Sequence, residues 1–303
     1  MLIKLLKLGF AIVLIAILTA IISYPGAFIL SSGHNKDNSI IAKAAPPYDG
    51  IGVYVINLAH SQARYNYIAP KISALKLPWQ RLDGVYGMEL SREQRDNIVD
   101  LENYHIIVRS DPSPGTIGCS LSHIKAWQQF LLSNYEYALI FEDDVTFEPD
   151  LLIKILEELQ KKPQLWDIVS FDVKKSGTPL PIRSLPDQYS LVVYLSAISN
   201  AGGYLLNRQA AEKMLAKALP IKMPIDYFFT RSWEFGLKFT GVEPRIVKQK
   251  FGDSEIRNTD KQNKEYTGNK GRSTLEQAIR KRVYTNESEI VRFVYNLWIY
   301  FKS

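Results

Sequence analysis

Three consecutive carboxylates, Glu142, Asp143 and Asp144, follow the apolar run Tyr137-Ala138-Leu139-Ile140-Phe141. An apolar run this short reads as a buried strand, which puts the acids at its carboxyl end, where open α/β sheets place their ligands. Adjacent acids repel unless they face solvent, accept backbone hydrogen bonds or share a cation. On an extended chain Glu142 and Asp144 project to one side, so a hard divalent ion could bridge them. The same residues also read as an acidic turn leading into a helix that begins near Pro149.

The elements that must hold these acids alternate along the chain. Ile51-Gly52-Val53-Tyr54-Val55-Ile56-Asn57-Leu58 reads as a buried first strand. A helix capped by Ser61 and kinked at Pro70 runs to about Leu77. Trp79 to Leu82 is a second strand closed by Asp83-Gly84, which completes a βαβ unit. A polar helix covers Ser91 to Leu101. After the turn Asp111 to Gly115, the residues Ile117, Leu121, Ile124, Trp127, Phe130 and Leu131 recur at helical spacing.

Beyond the acids, Leu152, Ile155, Leu156 and Leu159 form the core face of a helix from Pro149 to Lys161. Strands are expected at Trp166 to Val173, Tyr189 to Ala197 and Gly202 to Leu206. Lys174 to Gln188 reads as a mobile loop. Asn207 caps a helix to about Leu219, Pro224-Ile225-Asp226 opens another that ends near Gly236, and Val242 to Val247 is a late edge strand broken by Pro244. This alternation predicts one α/β domain with a mostly parallel central sheet.

The two ends differ from this body. Leu8 to Leu30 carries no charge and is long enough to cross a bilayer, so residues 1–30 read as an uncleaved single-pass anchor and 31–49 as a linker. The charges flanking that run do not determine which side of the membrane the domain faces. Residues 258–303 form a basic, aromatic tail that reads either as membrane-interfacial or as a last helix packed on the domain. The net charge of +6 suits anionic lipid, nucleotide phosphate or nucleic acid. No nucleic-acid module is recognisable, so nucleic acid is not an expected partner. A single cysteine, Cys119, excludes an internal disulfide framework.

With Tyr54 to Leu58, the Gly115-Thr116-Ile117-Gly118-Cys119-Ser120-Leu121-Ser122-His123 block and Phe141 to Asp144 in this order, the chain resembles the family 25 glycosyltransferases. These are bacterial lipooligosaccharide sugar transferases and the related collagen galactosyltransferases. The resemblance covers about residues 51 to 257. It includes Arg64, Asp83-Gly84, Gly203-Tyr204-Leu205, Pro224-Ile225-Asp226, Gln249 and Ser254 to Arg257.

The resemblance implies a nucleotide-sugar-binding fold of the GT-A type, residues 50–257, with Mn²⁺ or Mg²⁺ held against a donor diphosphate. Glu142-Asp143-Asp144 takes the place of the acidic metal motif. Asp144 is then the first ligand, with Glu142 on the metal or the donor ribose, and Asp143 the most replaceable of the three. Asn57, Arg64, Asp83, Gly84, Ser122, His123 and Asp143 are expected around the donor. For Asn57 the bland alternative is a turn residue, for Arg64 a solvated helix face and for His123 a structural histidine.

Asp226 is the expected base for an inverting transfer and Asp172 the second candidate; Asp226 reads equally as a helix cap. The expected reaction moves a hexose, galactose from UDP-galactose first among them, onto a saccharide or glycolipid acceptor. Two departures touch the site. Ala59-His60 stands where the family often has charged residues, and Asn200-Ala201 where it often has Gly-Thr.

Overall fold

The computed structural model describes residues 50–174, 177–251 and 275–303. The anchor, the linker and the Ser254 to Arg257 block lie outside the described residues. Among those described, no helix is long and apolar enough to cross a membrane.

The chain opens with β1 (Ile51–Asn57), α1 (Gln62–Ala74) and β2 (Trp79–Asp83). Nearly every residue of β1 is buried, as expected of a strand covered on both faces. Ser61 stands at the N-cap of α1 without a side-chain cap bond. The expected polar helix is two short ones, α2 (Arg92–Ile98) and α3 (Leu101–Ile107), capped by Ser91 and Asp100. Then come α4 (Pro114–Leu132), β3 (Tyr137–Glu142), β4 (Val145–Thr146) and α5 (Pro149–Gln160). Ser113 caps α4 by accepting from the Thr116 amide, and Pro114 follows where a missing N–H costs nothing.

The rest is β5 (Ile168–Ser170), β6 (Pro179–Ser184), β7 (Ser190–Tyr194), β8 (Gly203–Asn207), α6 (Arg208–Leu215), α7 (Ile225–Phe229), β9 (Phe239–Glu243), β10 (Lys248–Gln249) and α8 (Leu275–Lys302). Asn207 caps α6 through the Ala210 amide, as its position suggests.

The main sheet has the order β2-β1-β3-β8-β5-β9-β7-β6. β1 pairs in parallel with β2 and β3, and β5 with β9, whereas β8 opposes both β3 and β5, and β7 opposes β9 and β6. The sheet is therefore mixed: β8 and β7 run against the other strands. Alternate strand residues feed two cores. Tyr54, Ile140 and Tyr204 face α4, α6 and α7. Val53, Val55, Leu139 and Phe141 face α1 and α5.

Two expectations need correction. The stretch read as a loop from Lys174 to Gln188 contains β6, the outermost strand. Pro179 and Pro181 gave it a loop-like composition, yet an edge strand is where proline's missing N–H is tolerated. The late strand read as an edge is β9, which lies between β5 and β7 and ends before Pro244. The C-terminal tail, read as membrane-interfacial or as a packed last helix, includes one long helix, α8, whose Val291, Tyr295 and Ile299 pack with Val193 and Trp233.

Candidate active site

A cleft of about 300 Å³ opens at the carboxyl ends of β1 and β3. Two glycines shape one wall. A Cβ on Gly118 would lie 2.4 Å from the Val85 carbonyl oxygen, and one on Gly87 would lie 1.7 Å from that of Pro114. The first turns of α4 thus press against the chain leaving β2, backbone on backbone. Ser122 ties the same contact, accepting from the Val85 amide at 2.8 Å and donating to the Gly118 carbonyl at 2.7 Å.

The acids stand on the floor. Arg64, Ser122, His123, Glu142, Asp143, Asp144 and Asp226 all line the cleft, with Cys119, Asn200 and Gln249 beside them. The antiparallel pair of β10 with β4 pins the turn after the acids, and the Lys250 amide donates to the Asp144 carbonyl at 2.7 Å.

Asp143 is held from both sides. Asn57 Nδ2 donates to Oδ2 at 2.7 Å, and Arg64 Nη1 donates to Oδ1 at 3.2 Å. Asn57 is itself buried, accepting from Arg81 Nε at 2.8 Å and donating to the Ser61 carbonyl at 3.1 Å. Asn57 therefore reaches the site through Asp143. These contacts give Asp143 more partners than a replaceable turn residue requires. Arg64 Nη1 also lies 3.9 Å from Asp144 Oδ2, so it faces the acids rather than presenting a solvated helix face.

Asp144 differs from its neighbour. Its Oδ1 is buried with no hydrogen-bond partner among the described residues. Burial, then the negative charge of Glu142, push its carboxyl up to about 7, with Asp143 and Asp172 adding to the rise and Arg64 opposing it. Asp226 is also shifted upward, first by burial, with Glu142 contributing. Several carboxylates thus crowd a site with limited cation compensation. An orphaned carboxylate oxygen in such a field fits a bound divalent ion.

The ligand set follows from donor chemistry. Cys119 Sγ, a His123 ring nitrogen and a Glu142 oxygen lie within 4.8 Å of one another. Burial, followed by Glu142 and Asp226, drives the Cys119 thiol well above its usual range, which keeps it protonated. His123 is bound on both ring nitrogens: Nδ1 is 2.8 Å from the Tyr204 hydroxyl and Nε2 is 3.4 Å from Glu142 Oε1. Hard ions such as Mn²⁺ and Mg²⁺ prefer carboxylate oxygen, which favours Glu142 and Asp144 over the sulfur and nitrogen pair.

The His123 contacts extend inward. Trp127 Nε1, a donor only, gives its proton to the Tyr204 hydroxyl at 2.9 Å. The arrangement fits a His123 proton on Nε2, toward the Glu142 carboxylate, with Nδ1 accepting from the Tyr204 hydroxyl. Tyr204 stacks on the His123 ring with centroids 5.7 Å apart. A chain of buried bonds thereby orients Glu142. Sequence reasoning passed over Tyr204 and Trp127 as core aromatics, although Tyr204 lies in one of the quoted blocks.

Asp172 is fully buried and does not line the cleft. Its Oδ2 accepts from Asn200 Nδ2, and Arg245 Nη1 stands 3.9 Å from its Oδ1. Burial, then Glu142, push its carboxyl up to about 7, while Arg245 and Lys174 pull it down. Of the two expected base candidates, Asp226 lines the cleft and Asp172 lies behind the Asn200 contact. Asn200 carries a positive φ of 111° and lies near enough to Asp226 for its backbone to oppose the upward shift of that carboxyl. That backbone is strained for a residue with a Cβ.

Asp83 and Gly84 also stand off the cleft. The Asp83 side chain is exposed beside Arg81 at 3.4 Å. The Gly84 amide donates to the Asn57 carbonyl at 3.0 Å. They close β2 and are not placed to touch a ligand in the cleft.

Comparison with known proteins gives this geometry its relatives. A procollagen galactosyltransferase 1-A of Xenopus laevis is 30% identical over 183 residues, covering 58% of this chain and 30% of that protein. A glycosyltransferase 25 family member of Aedes aegypti is 30% identical over 197 residues, covering 60% and 31%. The human inactive glycosyltransferase 25 family member 3 is 26% identical over 193 residues, covering 58% and 30%. The matched region thus spans under a third of the length of these curated relatives.

A crystal structure of a glycosyltransferase involved in the glycosylation of the major capsid of PBCV-1 aligns with a TM-score of 0.38 at 12% identity, covering 70% of this chain and 97% of that one. The model of glycosyltransferase family 25 (LPS biosynthesis protein) matches residues 51–229, more than half of the chain and the segment that builds the cleft up to Asp226. The chain belongs to glycosyltransferase family 25.

Proposed function

We propose that the protein is a metal-assisted hexosyltransferase that moves galactose from UDP-galactose onto a saccharide acceptor of the lipooligosaccharide or lipopolysaccharide kind, with inversion. The observation that carries this reading is the meeting of Glu142, Asp144, Arg64 and Asp226 in one cleft. Glu142 and Asp144 would hold Mn²⁺ or Mg²⁺, whose charge offsets that developing on the departing diphosphate. Arg64, fixed by Asp143, presents a guanidinium at the acids, where it can meet a phosphate oxygen. The galactosyl preference comes from relatives named as procollagen galactosyltransferases.

In this reading the acceptor oxygen attacks the anomeric carbon while Asp226 takes the hydroxyl proton. The bond from that carbon to the diphosphate oxygen breaks, and UDP leaves. A carboxylate whose pKa lies above its usual range suits the role of base, and the Tyr227 N–H, 3.0 Å from its Oδ1, keeps it aimed. We further propose that the uncharged run from Leu8 to Leu30 holds the domain at a membrane, near a glycolipid acceptor.

A UDP-release assay with full-length protein, a panel of UDP-sugars, acceptor glycans and Mn²⁺ tests the reading. UDP-galactose should give the highest acceptor-dependent rate. A preference for another UDP-sugar overturns the galactosyl assignment alone. No turnover with any donor favours a silent saccharide-binding role, a reading supported by relatives that are named inactive.

A further inference from the structure

The outer face of α8 carries Leu275, Ile279, Val283, Ile290, Phe293 and Phe301, each between 40% and 78% exposed. At 3.6 residues per turn they fall within about 80° of arc. Val291, Tyr295 and Ile299, which pack on the domain, lie on the opposite side. Scattered surface apolar residues need no explanation, but a row of them along one helix face does.

The spacing of that row is specific. Ile279, Val283, Asn286, Ile290, Phe293 and Leu297 are separated by 4, 3, 4, 3 and 4 residues, the heptad pattern of a two-helix coil. We propose that α8 pairs in parallel and in register with α8 of a second copy of this chain. This inference is independent of the reaction assigned to the cleft.

Two features select that occupant. In parallel register Asn286 meets its own counterpart, where each amide can satisfy the other. An antiparallel pair with the same seam sets Asn286 against Ile290 and leaves the amide unmatched. Charge agrees with this. In parallel register Arg282 flanks the seam five residues before Glu287 of the other copy, which makes two symmetric ion pairs, whereas the antiparallel pair brings the two Glu287 carboxylates together. Glu276, Glu287 and Glu289 border the stripe alongside its arginines, which disfavours an anionic lipid surface as the occupant.

The test is oxidative cross-linking of the full chain in detergent. Asn286→Cys should form a covalent dimer in most of the protein, while the wild type, whose one cysteine is Cys119, should not. Adding Phe293→Asp to Asn286→Cys should cut the cross-linked fraction at least tenfold, and Phe293→Asp alone should halve the protein mass measured by light scattering. Because Phe293 is exposed, the fold should survive, as circular dichroism can check. A monomer by light scattering with no Asn286→Cys cross-link overturns the proposal. So does stronger cross-linking in a mixture of Asn286→Cys and Ile290→Cys chains than in Asn286→Cys alone, which marks the antiparallel pair. Flotation with anionic vesicles that Phe293→Asp abolishes, without any cross-link, assigns the stripe to lipid and also overturns it.

Discussion

Asn200 donates its side-chain amide to the buried carboxylate of Asp172 and itself lines the cleft with Asp226. One residue thus connects a sealed acid to the wall of the cleft, and does so with φ at 111°. Asn tolerates positive φ better than most residues with a Cβ, but the Asp172 contact is what fixes the side chain.

Replacing Asn200 separates anchor from strain. Asn200→Gly accepts the same backbone without cost yet loses the tie to Asp172. The turnover number should fall roughly 10- to 100-fold, the equivalent of about 1–3 kcal/mol, with little change in donor KM. Steady-state UDP release measures this, and wild-type turnover in Asn200→Gly contradicts the anchoring role.

The raised pKa of Asp172 makes stability depend on pH. In the unfolded chain this carboxyl ionises near its usual value of 3.8, while in the fold it keeps its proton up to about 7. The folded state therefore binds more protons across that window, and this contribution to stability is lost as pH rises through it. Asp172→Asn keeps an oxygen for Asn200 and removes the titration. In EDTA it should match wild type near pH 4 and exceed it by about 2–4 kcal/mol at pH 8. Urea denaturation at the two pH values checks this, and equal pH slopes for both proteins contradict it.

Tyr204→Phe deletes the hydroxyl that takes the Trp127 proton and faces His123 Nδ1. Two buried groups lose their partner at once, so a stability loss of about 2–4 kcal/mol is expected. Glu142 also loses its oriented neighbour, and turnover should fall further than stability alone explains. Urea unfolding and UDP release in parallel measure the two effects.

Asp143 and Arg64 form a buried pair, with side chains 9% and 13% exposed. Asp143→Ala removes the acceptor that Asn57 and Arg64 share, leaving the guanidinium to Asp144 at 3.9 Å, and should cost about 2–4 kcal/mol. Arg64→Met should cost less alone, and the Arg64→Met/Asp143→Ala double variant should recover part of that loss. A double-mutant cycle by urea unfolding measures the coupling, and a coupling near zero contradicts the pairing.

Much of the scaffold was readable because each element carried its own period. The buried residues of α5 are Leu152, Ile155, Leu156 and Leu159, the face its spacing marks. The cleft residues His123, Glu142, Asp144 and Asp226 stood in recognisable blocks. What escaped depended on contacts distant in sequence. Pro179 and Pro181 hid β6 because proline signals a loop unless the neighbouring strand is known. That Asp172 lies against Asn200, 28 residues away, and not on the cleft wall is not visible in the local sequence. Tyr204 looked like core because its polar partners lie 77 and 81 residues away.

The central claim is that Glu142 and Asp144 hold the divalent ion on which transfer depends. The direct measurement is Mn²⁺ titration of EDTA-stripped protein, followed by calorimetry, alongside UDP release by the same samples. Wild type should bind one ion and turn over. Asp144→Ala should unfold at or above the wild-type urea midpoint, since it removes a buried unpaired oxygen, while losing at least tenfold in Mn²⁺ affinity and nearly all turnover. Asp144→Ala protein that binds Mn²⁺ and releases UDP like wild type contradicts the account.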